Sequence, residues 1–257
     1  MLTELHKETF TTQGLICLAG FLPPDRVVAA QECLFQLAEQ EGLRRDGVWQ
    51  TTEMPARPEL IKQGRKVPFV ELITPELLTA IDMLVDGQAM ADTPVKPQLL
   101  FTPPQFTEWQ VPHNVWHLDV PRLPLAGLPG VQVFTFLDTV IPKGGGTLVV
   151  AGSHHLLNTG EYIRSQDMKK RLRKETYFRN LMSSEFPNRA QFMTTPGKVG
   201  GVELLIVELH GEPGDVYLMD MRLLHTLSPN TAKIPRLMMT ERFYLKVAHD
   251  QIHHRQA

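Results

Sequence analysis

Residues 131–155 read VQVFTFLDTVIPKGGGTLVVAGSHH, in which a Pro and Gly turn separates two runs rich in β-branched and aromatic residues. Runs of this composition bounded by turn residues are typical of short strands. Five further segments share the pattern: PQLLFTP (97–103), VWHLDV (115–120), VELLIVEL (202–209), GDVYLMD (214–220) and RLMMTERFYLKV (236–247). Seven such segments predict two facing sheets, as in a two-sheet barrel or jelly roll.

Helical segments precede and interrupt these strands. A polar opening ends at Gly14, an apolar run follows at residues 15–18, and segments of helical period lie at residues 23–41 and 74–87. The stretch 160–186 has helical composition and a basic run, Lys169 to Lys174. Such a run is typical of a solvated helix face, and the alternatives are a lid or a grip for an anionic substrate.

We therefore expect a mainly β fold with α-helices, organised as one domain over residues 1–257. Its predicted parts are a helix-rich N-terminal part (1–96), a jelly-roll core (97–248), and a helical insertion within that core (156–200).

Composition excludes several classes of protein. The 26 Lys and Arg residues nearly balance the 28 Asp and Glu residues, whereas a nucleic-acid binder would carry a basic excess. No stretch approaches the roughly 18 consecutive apolar residues of a membrane span. The two cysteines, Cys17 and Cys33, are too few for a disulfide framework, and we expect buried free thiols in a reducing compartment. These features predict a cytoplasmic protein with no nucleic-acid or membrane partner, and they leave its oligomeric state open.

The segment VWHLDV contains a candidate pair of metal ligands. In a strand, His117 and Asp119 project from the same face, about 7 Å apart along the chain. An imidazole and a carboxylate belong to the facial triad of two histidines and one carboxylate, which leaves open positions on Fe(II). A half-buried, hydrogen-bonded His–Asp pair would give the same short pattern, so the metal hypothesis needs a second histidine.

His225 and Arg236 supply the missing elements. His225 lies in GDVYLMDMRLLHTLSPN (214–230), after a strand that a jelly roll can return to the side of VWHLDV. Arg236 opens the next strand, and its planar guanidinium suits bidentate binding of a carboxylate. Together, His117, Asp119, His225 and Arg236 suggest a metal site beside an anionic co-substrate.

These segments, in this order and spacing, resemble the phytanoyl-CoA dioxygenase-like family of Fe(II)/2-oxoglutarate oxygenases. The opening TTQGLICLAGFLPPDRVVAAQ (11–31) is also similar to that family. The resemblance implies a double-stranded β-helix (jelly roll, cupin-like) in which His117, Asp119 and His225 bind Fe(II) and Arg236 binds the distal carboxylate of 2-oxoglutarate. It further implies that O2 and 2-oxoglutarate are consumed with release of succinate and CO2, while a small or medium metabolite is hydroxylated or desaturated. An aspartate at position 119 favours these outcomes over halogenation.

Further contacts to 2-oxoglutarate are predicted on neighbouring strands. Gln98, Thr135 and Thr147 carry polar side chains on apolar strands, although a polar residue at a strand edge or facing solvent would look the same. Leu227 stands where the family often has a serine that touches the co-substrate, and Ser228 or Thr147 is the expected replacement.

Other polar residues receive weaker assignments. We expect His154 and His155 to form a structural turn, Trp116 to lie in the core, and His113 and Arg122 to face substrate or solvent. Arg222 and Arg242 compete with Arg236 for the co-substrate but depart from the family spacing, and we assign no role to His249, His253 and His254.

Two alternative functions remain open from the sequence. The first is a non-catalytic jelly-roll module that uses the pocket to bind a ligand. The second is a zinc-dependent hydrolase that uses the same ligands, which would leave Arg236 without a function.

Overall fold

Six of the seven predicted strand segments form strands of two main sheets. The computed structural model describes residues 2–52, 54–105, 108–119, 122–124, 127–158 and 162–254. The strands within these ranges are β1 (Leu15–Leu18), β2 (Arg44–Arg45), β3 (Val48–Trp49), β4 (Gln98–Thr102), β5 (Arg122–Pro124), β6 (Gly130–Phe136), β7 (Thr147–Ala151), β8 (Tyr162–Arg164), β9 (Gly197–Val199), β10 (Val202–Glu208), β11 (Val216–Asp220), β12 (His225–Leu227) and β13 (Arg236–Tyr244).

All the paired strands run antiparallel. In the described ranges, the larger sheet has five strands in the order β1-β11-β6-β13-β4, and the smaller sheet has four in the order β12-β7-β10-β9. Two short pairs, β2 with β3 and β5 with β8, lie outside these sheets. The described strands do not close into a barrel, and β1 and β4 form the edges of the larger sheet.

The helices flank these sheets. They are α1 (Glu4–Gln13), α2 (Pro24–Gln40), α3 (Val67–Val70), α4 (Pro75–Leu84), α5 (Ser153–Leu156), α6 (Ser165–Leu172), α7 (Thr176–Leu181) and α8 (Lys246–His254), with 3-10 turns at Glu59–Gln63 and Arg189–Met193. Among the helices of the described ranges, none combines the length and apolar composition needed to cross a bilayer.

The two faces of the larger sheet pack against different partners because side chains alternate along each strand. On β6, Val131 and Val133 join the buried cluster built with the N-terminal helices, whereas Phe134 and Phe136 join a cluster between the two sheets. From the smaller sheet, Val149 of β7 packs into that inter-sheet cluster. A polar residue of β6 that lies an even number of positions from Phe134 therefore points into the space between the sheets.

The N-terminal helices form where capping and periodicity predict them. The Thr3 hydroxyl accepts the backbone N–H of His6 at 3.2 Å, which caps α1 at its start. Gly14 ends this helix in the left-handed region, at φ 81°. In α2, Val27, Ala30, Leu34 and Ala38 are buried at helical spacing and pack on the outer face of the larger sheet.

The insertion covers the outer face of the smaller sheet. Leu148 and Val150 of β7 share a buried cluster with Met168 of α6 and with Phe178 and Leu181 of α7. This packing gives the basic segment an apolar side toward the sheet, while Lys170 and Lys174 face solvent.

Arg189 joins the insertion to the segment that precedes the metal motif. Its guanidinium donates to the backbone oxygens of Val111 at 2.7 Å, Ser183 at 3.0 Å and Phe186 at 3.1 Å. It also donates to the side-chain oxygen of Gln110 at 3.2 Å. Since the guanidinium is nearly inaccessible to solvent, these bonds replace hydration that the charge loses on folding.

We expect Arg189→Ala to lower the free energy of unfolding by about 2–3 kcal/mol, because the backbone carbonyl groups of Val111, Ser183 and Phe186 lose a charged donor. Urea denaturation followed by circular dichroism measures the change. Arg173→Ala is the matched control, since Arg173 is exposed on the same insertion and its loss should stay within about 0.5 kcal/mol. Equal effects of the two substitutions would contradict this role for Arg189.

Two local expectations are wrong. Cys17 is exposed rather than buried, because it lies on the edge strand β1, and Cys33 is only half-buried; both thiols are free. The segment VWHLDV is not a regular strand: His117 forms an isolated antiparallel bridge with His225, and Asp119 lies in a bend. The single bridge is nevertheless enough to bring the motif beside β12.

Candidate metal centre

The backbone brings the two histidines side by side. His117 N–H donates to the carbonyl of His225 at 2.9 Å, and His225 N–H donates to the carbonyl of His117 at 3.1 Å. Asp119 Oδ1 lies 3.4 Å from His117 Nε2 and 3.2 Å from His225 Nε2. One ligand atom from each of the three residues falls within 4.8 Å of the others, which is the arrangement of a metal site.

Both imidazole rings are oriented by backbone carbonyl groups. His117 Nδ1 lies 2.8 Å from the oxygen of Val115, and His225 Nδ1 lies 2.9 Å from the oxygen of Leu223. A carbonyl oxygen only accepts, so each Nδ1 carries a proton, and each Nε2 is the ring nitrogen that faces Asp119. This outer set of hydrogen bonds is typical of histidines that bind metals.

The turn at residues 152–156 supports His225. Ser153 Oγ accepts the backbone N–H of Leu224 at 3.0 Å and is fully buried. His154 and His155 stack within this turn, and His154 Nε2 contacts the carbonyl oxygen of Thr11 at 3.1 Å, away from the triad. The turn therefore has the expected structural role, because Ser153 holds the backbone of Leu224, the residue before His225.

Asp119 is an ionised carboxylate. Burial by itself raises the pKa of Asp119, but hydrogen bonds from His117 and His225 and the charge of Arg242 outweigh it and hold this pKa well below its usual range. The hydrogen bond to Asp119 is also the main reason that the pKa of His117 is raised. A carboxylate beside two imidazole Nε2 atoms, which become lone-pair donors once they lose their protons, is a donor set that fits a divalent cation.

The triad opens into a cavity of about 240 Å³ between the sheets. Apolar parts of its wall are formed by Leu100 and Phe134 of the larger sheet and by Leu227 of the smaller sheet. Its other polar lining residues are Gln98, Gln132, Thr147, Thr226, Thr240 and Arg242.

Arg236 is a buried cation without a carboxylate partner among the described residues. It is 2% exposed, and its Nη1 lies 3.4 Å from the hydroxyl of Thr147, which lines the cavity. Its Nε is buried and has no hydrogen-bond partner in the described part of the chain. Burial lowers the pKa of Arg236 to about 10, so the guanidinium stays charged at neutral pH. A buried charge with an unsatisfied donor fits an anionic ligand such as a carboxylate.

The secondary candidates separate into two groups. Thr147 and Gln98 line the cavity with the triad, and Gln98 Oε1 accepts from Arg242 Nη1 at 3.3 Å. Thr135 lies on the opposite face of β6, and its hydroxyl donates to the carbonyl of Asp215 at 2.9 Å. Ser228 is buried with its hydroxyl 3.5 Å from a carboxylate oxygen of Glu208. The family's serine is replaced by Leu227 in this chain, and Ser228 and Thr147 were the expected substitutes. Thr147 contacts Arg236, whereas Ser228 contacts Glu208.

The remaining residues fall mostly outside the site. Trp116 is fully buried, as expected, and donates to the carbonyl of Pro112 at 2.8 Å. Arg222 forms a buried ion pair with Asp220 at 2.6 Å. His113 is half-buried beside the motif. The side chains of Arg122, His253 and His254 lie outside the described part of the structure.

Two residues contact Asp119 in a way that was not predicted from the sequence: Arg242 and Gln132. Both side chains contact Asp119 Oδ2, with Gln132 Nε2 at 2.6 Å and Arg242 Nε at 3.1 Å. Strand parity could have indicated Arg242, because residues 236 and 242 are an even number apart and face the same side of one strand.

The family of the chain follows from the sequence profile that matches it. The profile described as phytanoyl-CoA dioxygenase (PhyH) matches residues 10–238. The chain belongs to the phytanoyl-CoA dioxygenase family. The family resemblance inferred from the motifs is thereby confirmed, and the triad and Arg236 fall inside the matched range. No curated protein matched the chain in a sequence comparison.

Solved structures with the same fold include several 2-oxoglutarate enzymes. The non-heme α-ketoglutarate-dependent epimerase SnoN from nogalamycin biosynthesis is 16% identical, with a TM-score of 0.56 over 93% of this chain and 81% of that chain. EvdO2 from Micromonospora carbonacea var. aurantiaca is 17% identical, with a TM-score of 0.57 over 95% and 92%. HygX from Streptomyces hygroscopicus, solved with nickel, 2-oxoglutarate and hygromycin B, is 18% identical, with a TM-score of 0.54 over 95% and 88%.

At these identities the likeness concerns the fold, and it confirms the expected double-stranded β-helix. Family membership, taken with the His–Asp–His site, supports an oxygenase that uses iron and 2-oxoglutarate.

Proposed function

We propose that this protein is an Fe(II)- and 2-oxoglutarate-dependent dioxygenase that hydroxylates a small or medium metabolite, with desaturation as the second outcome. The observation that carries the proposal is the pairing of the triad with Arg236, a buried guanidinium that contacts the cavity residue Thr147. A metal site alone fits many reactions, whereas a metal site next to an uncompensated buried cation fits an anionic co-substrate.

The triad residues would hold the metal on one side only. His117 and His225 offer Nε2 and Asp119 offers Oδ1, so three protein ligands leave the remaining coordination positions open. When bound, iron with 2-oxoglutarate and O2 supplies the oxidising chemistry, which releases succinate and CO2 as a C–H bond of the substrate is oxidised.

The chain's own contribution is binding, charge neutralisation and exclusion of water. Arg236 and Thr147 would hold the distal carboxylate of 2-oxoglutarate, and burial strengthens this attraction because the local dielectric constant is low. Leu100 and Phe134 form apolar parts of the wall of the cavity that contains the triad and Thr147. An aspartate at the carboxylate position supports hydroxylation rather than halogenation.

The alternatives account for fewer of these features. A zinc-dependent hydrolase would use the triad but not Arg236. A non-catalytic binding module would not need two histidine nitrogens and a carboxylate oxygen gathered at one point. We also propose a cytoplasmic location, supported by two free thiols, which suit a reducing compartment.

Anaerobic titration tests the proposal directly. Adding Fe(II) and then 2-oxoglutarate to the metal-free protein should produce the weak visible charge-transfer band of the chelate, and succinate should appear once oxygen is admitted. The control omits Fe(II) and should give neither signal. Bound iron without the band would overturn the 2-oxoglutarate assignment and favour the binding-module or hydrolase alternatives.

A further inference from the structure

The two oxygens of Asp119 have different surroundings. Oδ1 faces the two histidine nitrogens, at 3.4 and 3.2 Å. Oδ2 accepts hydrogen bonds from Gln132 Nε2 at 2.6 Å, from Arg242 Nε at 3.1 Å and from Arg242 Nη2. One oxygen is therefore directed at the metal position, and the other is held by three N–H donors on the opposite side.

Strand register explains why these donors meet. Arg242 of β13 is opposite Gln132 of β6, and Thr240 of β13 is opposite Gln98 of β4. All four side chains therefore share the face of the sheet that points toward the cavity.

Hydrogen bonds connect the four side chains into one network. Gln98 Oε1 accepts from Arg242 Nη1 at 3.3 Å, and Gln132 Nε2 lies 3.1 Å from Thr240 Oγ1. Thr240 in turn donates to the carbonyl of Val133 at 2.8 Å, which ties the network to the backbone of β6.

We propose that Arg242 is a positioning residue that limits Asp119 to a single oxygen ligand, so that a second coordination position on the metal stays open. The proposal rests on the proposed function, because the open position matters for binding 2-oxoglutarate and O2. A carboxylate can bind a cation through one or both oxygens. With Oδ2 held by Arg242 and Gln132, binding through both oxygens would require breaking charge-assisted hydrogen bonds.

This role differs from neutralising the charge of Asp119. The positive charge of Arg242 repels a divalent cation, so an arginine here does not serve metal affinity as such. A residue that only neutralised the charge of Asp119 in the metal-free site would no longer be needed once the metal bound. A positioning residue remains necessary afterwards, and the two roles are separated by measurements on the metal-loaded protein.

The experiment counts the water that bound Mn²⁺ retains. Mn²⁺ is titrated into the wild-type chain and into Arg242→Met and Arg242→Lys, and water-proton relaxation is measured at saturation. Methionine removes the charge and all donors at similar length, whereas lysine keeps a cation and a donor for Oδ2. Arg45→Met is the control for loss of an exposed arginine outside the cavity, and thermal unfolding tests whether each variant folds.

We expect Arg242→Met to reduce the relaxivity of bound Mn²⁺, because Oδ2 replaces a water molecule, and to weaken 2-oxoglutarate binding to the loaded protein by about tenfold. Arg242→Lys should retain most of the wild-type relaxivity, and Arg45→Met should retain all of it. Wild-type relaxivity in a folded, Mn²⁺-loaded Arg242→Met protein would overturn the proposal.

The relaxivity comparison needs only the metal. If the wild-type chain binds Mn²⁺ but not 2-oxoglutarate, the proposed function fails while the comparison still decides the role of Arg242. If 2-oxoglutarate binds equally well to the wild-type chain and to Arg242→Met with unchanged relaxivity, the proposed function stands and the positioning role fails.

Discussion

Replacing His225 or Asp119 with alanine is expected to abolish 2-oxoglutarate turnover and to weaken Fe(II) binding by more than about 100-fold. Loss of residues that only contact metal ligands typically costs 10–100-fold in affinity or activity, so loss of a ligand itself should cost more. Both residues lie within reach of the same site, with Asp119 Oδ1 3.2 Å from His225 Nε2. Calorimetric titration with Fe(II) under anaerobic conditions and a succinate assay measure the two effects.

These variants should still fold. The bridge between His117 and His225 is made by backbone atoms, at 2.9 and 3.1 Å, and a side-chain truncation leaves it in place. His155→Ala is the matched control, because His155 is an exposed histidine outside the triad. It should bind Fe(II) and turn over 2-oxoglutarate as the wild-type chain does. Turnover retained in Asp119→Ala would show that the ligand assignment is wrong.

The general fold was predictable because its signals are local. Gly14 ends α1, Pro24 begins α2, and the alternation of apolar residues with turns marks the strands of both sheets. Motif order and spacing suggested His117, Asp119 and His225 as metal ligands and Arg236 as a carboxylate contact, and the structure brings the first three side chains together.

The direction in which each strand side chain points was harder to predict. Every residue of β6 is buried on one face or the other, so the sequence VQVFTF does not distinguish the inward face from the outward one. Thr135 and Gln132 are an odd number of residues apart, so they lie on opposite faces of β6. Gln132 is the one that lies beside Asp119. The choice between them depends on which face the N-terminal helices cover, which is a tertiary property.

The role of Arg242 depends on contacts that are distant in sequence. Arg242 meets Asp119 across 123 residues and Gln98 across 144. Spacing along β13 places Arg242 and Arg236 on the same face, at opposite ends of the strand. Arg242 lies at Asp119 and Arg236 lies by Thr147, which fits the separate roles proposed for the two arginines.

Arg236→Met is expected to weaken 2-oxoglutarate binding to the metal-loaded protein by roughly 30- to 5,000-fold, which corresponds to about 2–5 kcal/mol for loss of one partner in a buried charge pair. The same substitution should raise the free energy of unfolding of the ligand-free protein by about 1 kcal/mol or more. The reason is that Arg236 is buried without an anionic partner among the described residues, and an apolar side chain of similar length removes that desolvation cost.

Thermal unfolding with and without 2-oxoglutarate measures both effects in one series, because a ligand that binds only the folded state raises Tm by an amount that grows with the logarithm of its concentration relative to Kd. With metal present throughout, the wild-type chain should start at a lower Tm and gain stability from 2-oxoglutarate, whereas Arg236→Met should start higher and gain almost nothing from 2-oxoglutarate. Arg236→Lys keeps the charge but loses the planar fork, so it should recover part of the ligand-induced shift. A full shift in Arg236→Met would mean that the distal carboxylate binds elsewhere in the cavity. A destabilised Arg236→Met protein would mean that the hydrogen bond of Arg236 to Thr147 outweighs the cost of burying its charge.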